Sequence, residues 1–156
     1  ENPRTESDWL SRDEKVVDDF KNDPLCDFIF TVDGFKALLT LVREDCDDRT
    51  AQKVPKELPI YILSGAEDPV GQYGEGVMKT YEQYRQAGIE NLQVKIYPEM
   101  RHEILNELGK EEVYEDILRW TEERISEYAQ ENDEADTEND DASDSQMDDK
   151  ADSQEE

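Results

Sequence analysis

The sequence predicts an α/β fold: a parallel β-α-β-α unit over residues 51–129, helical material over 1–50 before it, and a disordered acidic tail over 130–156 after it. Three observations carry this reading. From Leu58 onward, short apolar runs alternate with longer stretches of helical spacing, the order that builds parallel sheets through helical crossovers. Proline and glycine fall between these stretches, at Pro59, Gly65, Gly88 and Pro98, where a chain must turn. The composition then changes at Gln130, after which 13 Asp or Glu stand against one Lys.

The elements follow in order. Ser11 and Glu14 have the spacing of a capping box, in which the hydroxyl and the carboxylate each satisfy an orphan N–H at a helix start. A short helix to about Lys21 follows, with Val16, Val17 and Phe20 on its apolar face, and Asn22-Asp23-Pro24 ends it. Thr31 or Asp33 then caps a second helix, where Phe35, Leu38, Leu39 and Val42 recur at helical spacing; it stops in the polar run from Glu44 to Thr50. Ile60 to Leu63 is a continuous apolar run suited to a strand buried on both faces. A helix over Tyr73 to Ala87 carries Val77, Tyr81 and Tyr84 on one stripe and ends at Gly88. Leu92, Val94 and Ile96 alternate with Gln93, Lys95 and Tyr97 as a second strand, and Glu111 to about Tyr128 is the closing helix. Two strands leave exposed edges and no complete apolar face, so the sheet is expected to continue in strands outside these 156 residues.

Charge narrows the function classes. The chain carries a net charge of −26, of which −12 belongs to residues 130–156. Phosphate backbones are held by Lys and Arg clusters, so no nucleic acid is expected as a partner, and an anionic membrane surface is disfavoured for the same reason. No apolar run approaches the roughly 20 residues that span a bilayer, and stable membrane insertion is not expected. The tail has four apolar residues, Ala135, Ala142, Met147 and Ala151, too few to offset an ordering cost of roughly 1 to 2 kcal/mol per residue. Its expected role is to keep the protein soluble or to attract a basic partner. Cys26 and Cys46 lack C-x-x-C spacing and read as reduced thiols in a cytoplasmic protein. The chain opens on Glu1-Asn2-Pro3-Arg4 without a signal segment, the start expected of a fragment.

The residues with chemistry are Asp68 and His102. Each lies just past a predicted strand, where loops converge on ligands in open parallel sheets. An Asp that accepts a hydrogen bond from one imidazole nitrogen fixes the tautomer, and the other nitrogen then takes a proton from a serine hydroxyl. Singly, Asp68 reads as a turn cap through Asp68-Pro69 and His102 as an exposed loop histidine. As an ordered pair, with His102 the sole histidine, they read as the acid and base of a triad. The third member is missing: there is no G-x-S-x-G, and Ser64, which sits near a strand end, is flanked at the two key positions by Ile62 and Ala66.

The segments Leu63-Ser64-Gly65-Ala66-Glu67-Asp68-Pro69-Val70-Gly71 and Lys95-Ile96-Tyr97-Pro98-Glu99-Met100-Arg101-His102-Glu103-Ile104-Leu105-Asn106-Glu107 resemble the acid and histidine motifs of the monoacylglycerol lipase, lysophospholipase and serine aminopeptidase S33 group of α/β-hydrolases. Asp8 to Asp13, Asp23-Pro24-Leu25-Cys26 and Phe30-Thr31 are similar to the segment that joins cap to core in bacterial members. The resemblance covers about residues 1–128. It implies the C-terminal part of an α/β-hydrolase, in which residues 1–50 are a helical cap remnant and its return to the core. It further implies Asp68 as triad acid, His102 as triad base, a nucleophile encoded upstream, no cofactor, and a small-molecule ester or lipid substrate of monoacylglycerol or lysophospholipid type. The alternative is a non-catalytic hydrolase half that acts as an interaction module through its acidic tail. The reading frame upstream of Glu1 separates the two, since a G-x-S-x-G segment there marks the enzyme.

Other features read as structure. Gly71-Gln72-Tyr73-Gly74-Glu75-Gly76 lacks the G-K-[ST] ending of a phosphate-binding loop and is a flexible entry to a helix. One histidine and two scattered cysteines supply no zinc set. Asp140, Asp141, Asp144, Asp148 and Asp149 lack the glycine of a calcium-binding loop and form a solvated charge run. Trp9, Phe28, Phe30 and Phe35 read as core, with the entrance to an acyl-chain site as the alternative.

Overall fold

Capping decides where the N-terminal helices begin in the computed structural model, which describes residues 3–26 and 28–148, with side chains up to residue 130. Helix α1 spans Glu14–Asn22, and its N-cap is Asp13, whose carboxylate accepts from the Lys15 N–H. The expected capping box does not form: Glu14 is already helical, and the Ser11 hydroxyl accepts from Asp13 N–H at 3.0 Å instead. An Asp directly before the helix competes for the same orphan donors and lies closer to them. Of the two caps considered for α2 (Val32–Asp45), Thr31 is the one used, and it accepts from Gly34 N–H. Helix α2 stops within the polar run as expected, and a single helical turn, α3 (Asp48–Ala51), follows it. Asp47 caps it, and the guanidinium and N–H of Arg49 hold the Asp47 carboxyl well below the usual range.

Strands β1 (Ile60–Gly65) and β2 (Leu92–Tyr97) pair in parallel, from Ile60 opposite Leu92 to Gly65 opposite Tyr97. They are the whole sheet among the described residues. The strand expected to be buried on both faces is therefore only half-buried from Ile60 to Leu63, and the backbone becomes buried at Ser64 and Gly65, where the loops close over it. Helix α4 (Glu75–Gln86) connects the strands. It begins two residues later than its apolar stripe predicts, because Gln72 and Tyr73 take φ of 53° and 54°, outside the right-handed helical region. Gly88, at φ 92°, ends it as expected; its N–H bonds to Arg85 and that of Ile89 to Tyr84, the pattern of a left-handed helix stop.

The chain divides into two units after Val113. In the first, Leu10, Val17, Ala51, Ile89, Tyr97, Met100 and Val113 are buried. The aromatic residues read as core are not: Trp9, Phe28, Phe30 and Phe35 are each more than a third exposed, and α2 has no buried residue. A helix buries its apolar stripe only where another layer covers it, and none of the described elements covers α2. Helix α5 runs over Lys110–Asp148, so the described part of the second unit, residues 114–148, is helical. The helix reaches past Tyr128 into the acidic tail that begins at Gln130. Residues 149–156, including Asp149 of the charge run, lie outside the described residues, as do the side chains of the other tail carboxylates. Among the described residues no helix is long and apolar enough to cross a membrane.

Candidate active site

Two backbone bonds beyond the strand ends hold the acid loop to the histidine loop. Ala66 N–H donates to the Tyr97 carbonyl at 2.9 Å, and Glu67 N–H to the Met100 carbonyl at 2.8 Å. Gly65 is required at this crossing, because a Cβ there would lie 2.2 Å from the carbonyl oxygens of both Met100 and Arg101. The histidine loop turns through Glu99 at φ 61° and returns to Met100, which is buried.

Asp68 and His102, expected to act together, are brought into contact. Asp68 is 6 % exposed, and its Oδ2 lies 3.1 Å from His102 Nδ1. A carboxylate offers only lone pairs, so Nδ1 is the donor in this contact, and in the tautomer that makes it a neutral imidazole presents its lone pair at Nε2. Asp68 also serves as a turn cap: Oδ1 accepts from Val70 N–H at 2.8 Å, and its carbonyl from Tyr73 N–H at 2.8 Å. One carboxylate oxygen thus closes the turn and the other faces His102. The His102 side chain is 38 % exposed, enough to reach a reactant. Ser64 is buried, and its hydroxyl donates to the neighbouring Gly65 carbonyl at 3.3 Å, a local contact of a small residue at a strand end.

Sequence reasoning did not connect the N-terminal segment with this pair. The Trp9 ring lies against the imidazole with centroids 5.1 Å apart and planes tilted by 50°. Trp9 carbonyl accepts from His102 N–H at 3.4 Å, and Leu10 carbonyl from Glu103 N–H at 2.8 Å. Just before it, the Thr5 hydroxyl and then backbone N–H groups hold the Asp8 carboxyl below its ordinary value, against partial desolvation. Trp9 is also the shared wall of two cavities. One, of about 450 Å³, is lined by Phe20, Leu25, Phe28 and Phe30; the other, of about 660 Å³, is lined by Arg4, Asp8, Glu67 and Arg101. Of the exposed aromatics, Trp9, Phe28 and Phe30 thus line one concave surface, which reaches His102 through the Trp9 ring, and Phe35 lines neither cavity. A larger cavity, of about 800 Å³ along α4 and Ile96, is lined by neither Asp68 nor His102.

Solved structures share this architecture. A thermostable carboxyl esterase from Bacillus coagulans in complex with glycerol is 36 % identical with a TM-score of 0.72, covering 78 % of this chain and 40 % of that one. A lipase in its open form is 27 % identical with a TM-score of 0.67, covering 76 % of this chain and 38 % of that one. A soluble variant of monoglyceride lipase from Saccharomyces cerevisiae, in complex with a substrate analogue, shares the fold at 17 % identity and a TM-score of 0.55, covering 76 % of this chain and 40 % of that one. The chain therefore spans about 40 % of the length of the structures it matches. The serine aminopeptidase S33 family model matches residues 2–109. With part of an α/β-hydrolase fold and that match over most of its length, the chain belongs to the serine aminopeptidase S33 family.

Proposed function

We propose that this chain is the C-terminal part of a serine hydrolase that cleaves carboxylic esters, with Asp68 as triad acid, His102 as triad base and the nucleophilic serine outside these 156 residues. The observation that carries the reading is the Asp68–His102 hydrogen bond at the ends of two parallel strands. In the assembled enzyme, His102 Nε2 accepts the proton of the serine hydroxyl as Oγ attacks the ester carbonyl. It returns that proton to the departing alcohol, then repeats the transfer with water to release the acid. Asp68 stabilises the imidazolium formed in each half-reaction and stays ionised throughout.

The two cavities that meet at Trp9 support an amphiphilic ester, with its acyl chain against Phe20, Phe28 and Phe30 and its polar head toward Arg4, Glu67 and Arg101. Monoacylglycerols and lysophospholipids fit that description. The matched carboxyl esterase and lipase support the same reaction class.

The test compares purified 1–156 with a longer protein that adds the upstream G-x-S-x-G segment, using p-nitrophenyl esters of increasing chain length. Residues 1–156 are expected to be inactive and the longer protein active. Turnover by 1–156 that disappears on His102→Ala would overturn the assignment of the nucleophile to another segment.

The acidic tail is proposed to act through charge alone, with a basic surface as partner. Deletion of 130–156 is expected to leave kcat/KM within about twofold and to abolish a low-salt interaction that screening over roughly 8 to 10 Å weakens. A tenfold loss of activity that persists in high salt would mean that the tail contributes to the folded enzyme.

A further inference from the structure

Glu107 is 2 % exposed and is not used by the Asp68–His102 pair. Four donors converge on its carboxylate. Oε1 accepts from the N–H groups of Arg12 and Arg101, each at 2.9 Å; Oε2 accepts from Arg12 Nε at 3.0 Å and from Leu108 N–H at 2.9 Å. A carboxylate offers about four lone-pair positions, so all are taken, and nothing remains for a substrate or a proton relay. Two of the donors belong to the N-terminal segment, and a third is the N–H of the residue before His102. A buried carboxylate is tolerated only with its donors in place, which leaves one permitted register between the two segments. The same register is closed by His102 N–H on the Trp9 carbonyl, and by the Arg101 guanidinium on the carbonyls of Asp8 and Ser11.

We propose that Glu107 is a positioning residue for His102: by binding residues 12 and 101 to one carboxylate, it holds the imidazole between Asp68 and the Trp9 ring. It touches no reacting atom and acts through the loop and the N-terminal segment. Its catalytic meaning rests on His102 being the base, but the positioning itself is measurable without any ester. His102 is the sole histidine, so its ring gives one set of NMR signals in the 156-residue chain.

The experiment measures the exchange of the imidazole Nδ1 proton with water and the ring-current shift that Trp9 imposes on the Hε1 proton. Glu107→Gln presents an acceptor at one end only and strands two of the four donors. Exchange is expected to quicken by about tenfold, the effect of losing a charge-assisted hydrogen bond, and Hε1 to move toward its value in free imidazole. Arg12→Met removes the guanidinium but keeps the three backbone donors, so it folds even where Glu107→Gln does not; exchange there is expected to rise about threefold, as for a single partly exposed contact. Glu112→Gln, which breaks the surface pair with Lys95, is the control and should leave both signals unmoved. Melting temperatures that fall in the Glu107 and Arg12 variants with His102 signals unchanged would overturn the proposal and leave Glu107 as a stabilising group alone. An inactive longer enzyme whose His102 signals respond as stated would uphold the positioning role and count against the base assignment.

Discussion

Asp68→Asn is expected to lower kcat of the longer enzyme by about 10⁴-fold, the loss known for this change in a Ser-His-Asp triad, with little effect on the fold. The direction follows from a bond outside the pair. Val70 N–H donates to Asp68 Oδ1 at 2.8 Å and needs an oxygen there. An asparagine that keeps this bond turns its NH₂ toward His102 Nδ1, which must then accept, so the proton moves to Nε2. The imidazole remains in place and has lost the lone pair that takes the serine proton. His102→Ala should be at least as damaging, and the two losses should not add, since both remove the same proton transfer. The measurement is kcat on a short-chain p-nitrophenyl ester, with melting temperature as control. Rates near wild type in a folded Asp68→Asn enzyme would remove Asp68 from the triad.

The sequence carries the fold where the signal is local. Alternation at Leu92, Val94 and Ile96 and the apolar run Ile60 to Leu63 specify both strands, and Gly88 specifies the end of α4. The pairing of Asp68 with His102 is legible because strand ends in a parallel sheet bring successive loops together. What is not legible depends on distant contacts. Glu107 resembles any surface glutamate in its neighbourhood, and two of its four donors lie 95 positions away at Arg12. Trp9 is visible as an aromatic residue, but its place against His102 follows from that same long-range register. The exposure of α2 is a further case, since spacing reports an apolar stripe and says nothing of whether a layer covers it.

Gly65→Ala should have the largest effect on the folded chain, although it adds a single methyl group to a strand. The new Cβ would lie 2.2 Å from two backbone oxygens and 2.6 Å from the Met100 carbonyl carbon. No side-chain rotation relieves such a contact, because every atom in it belongs to the main chain. Relief means parting the loops, and the bonds from Ala66 to Tyr97 and from Glu67 to Met100 are the ones that part. The expected cost is about 3 kcal/mol, the upper end for overpacking. In a chain of this size that corresponds to a fall in Tm of roughly 10 °C. His102 moves with Arg101, so its Nδ1 proton should exchange as freely as in a histidine without a partner. Gly34→Ala makes the same chemical change inside α2, where the added Cβ meets nothing closer than 3.4 Å. There the gain in helix propensity, about 1 kcal/mol, should raise Tm. A Gly65→Ala chain with wild-type Tm and an intact Asp68–His102 bond would mean that the two loops do not cross as closely as this geometry requires, and the placement of His102 would have to be redrawn.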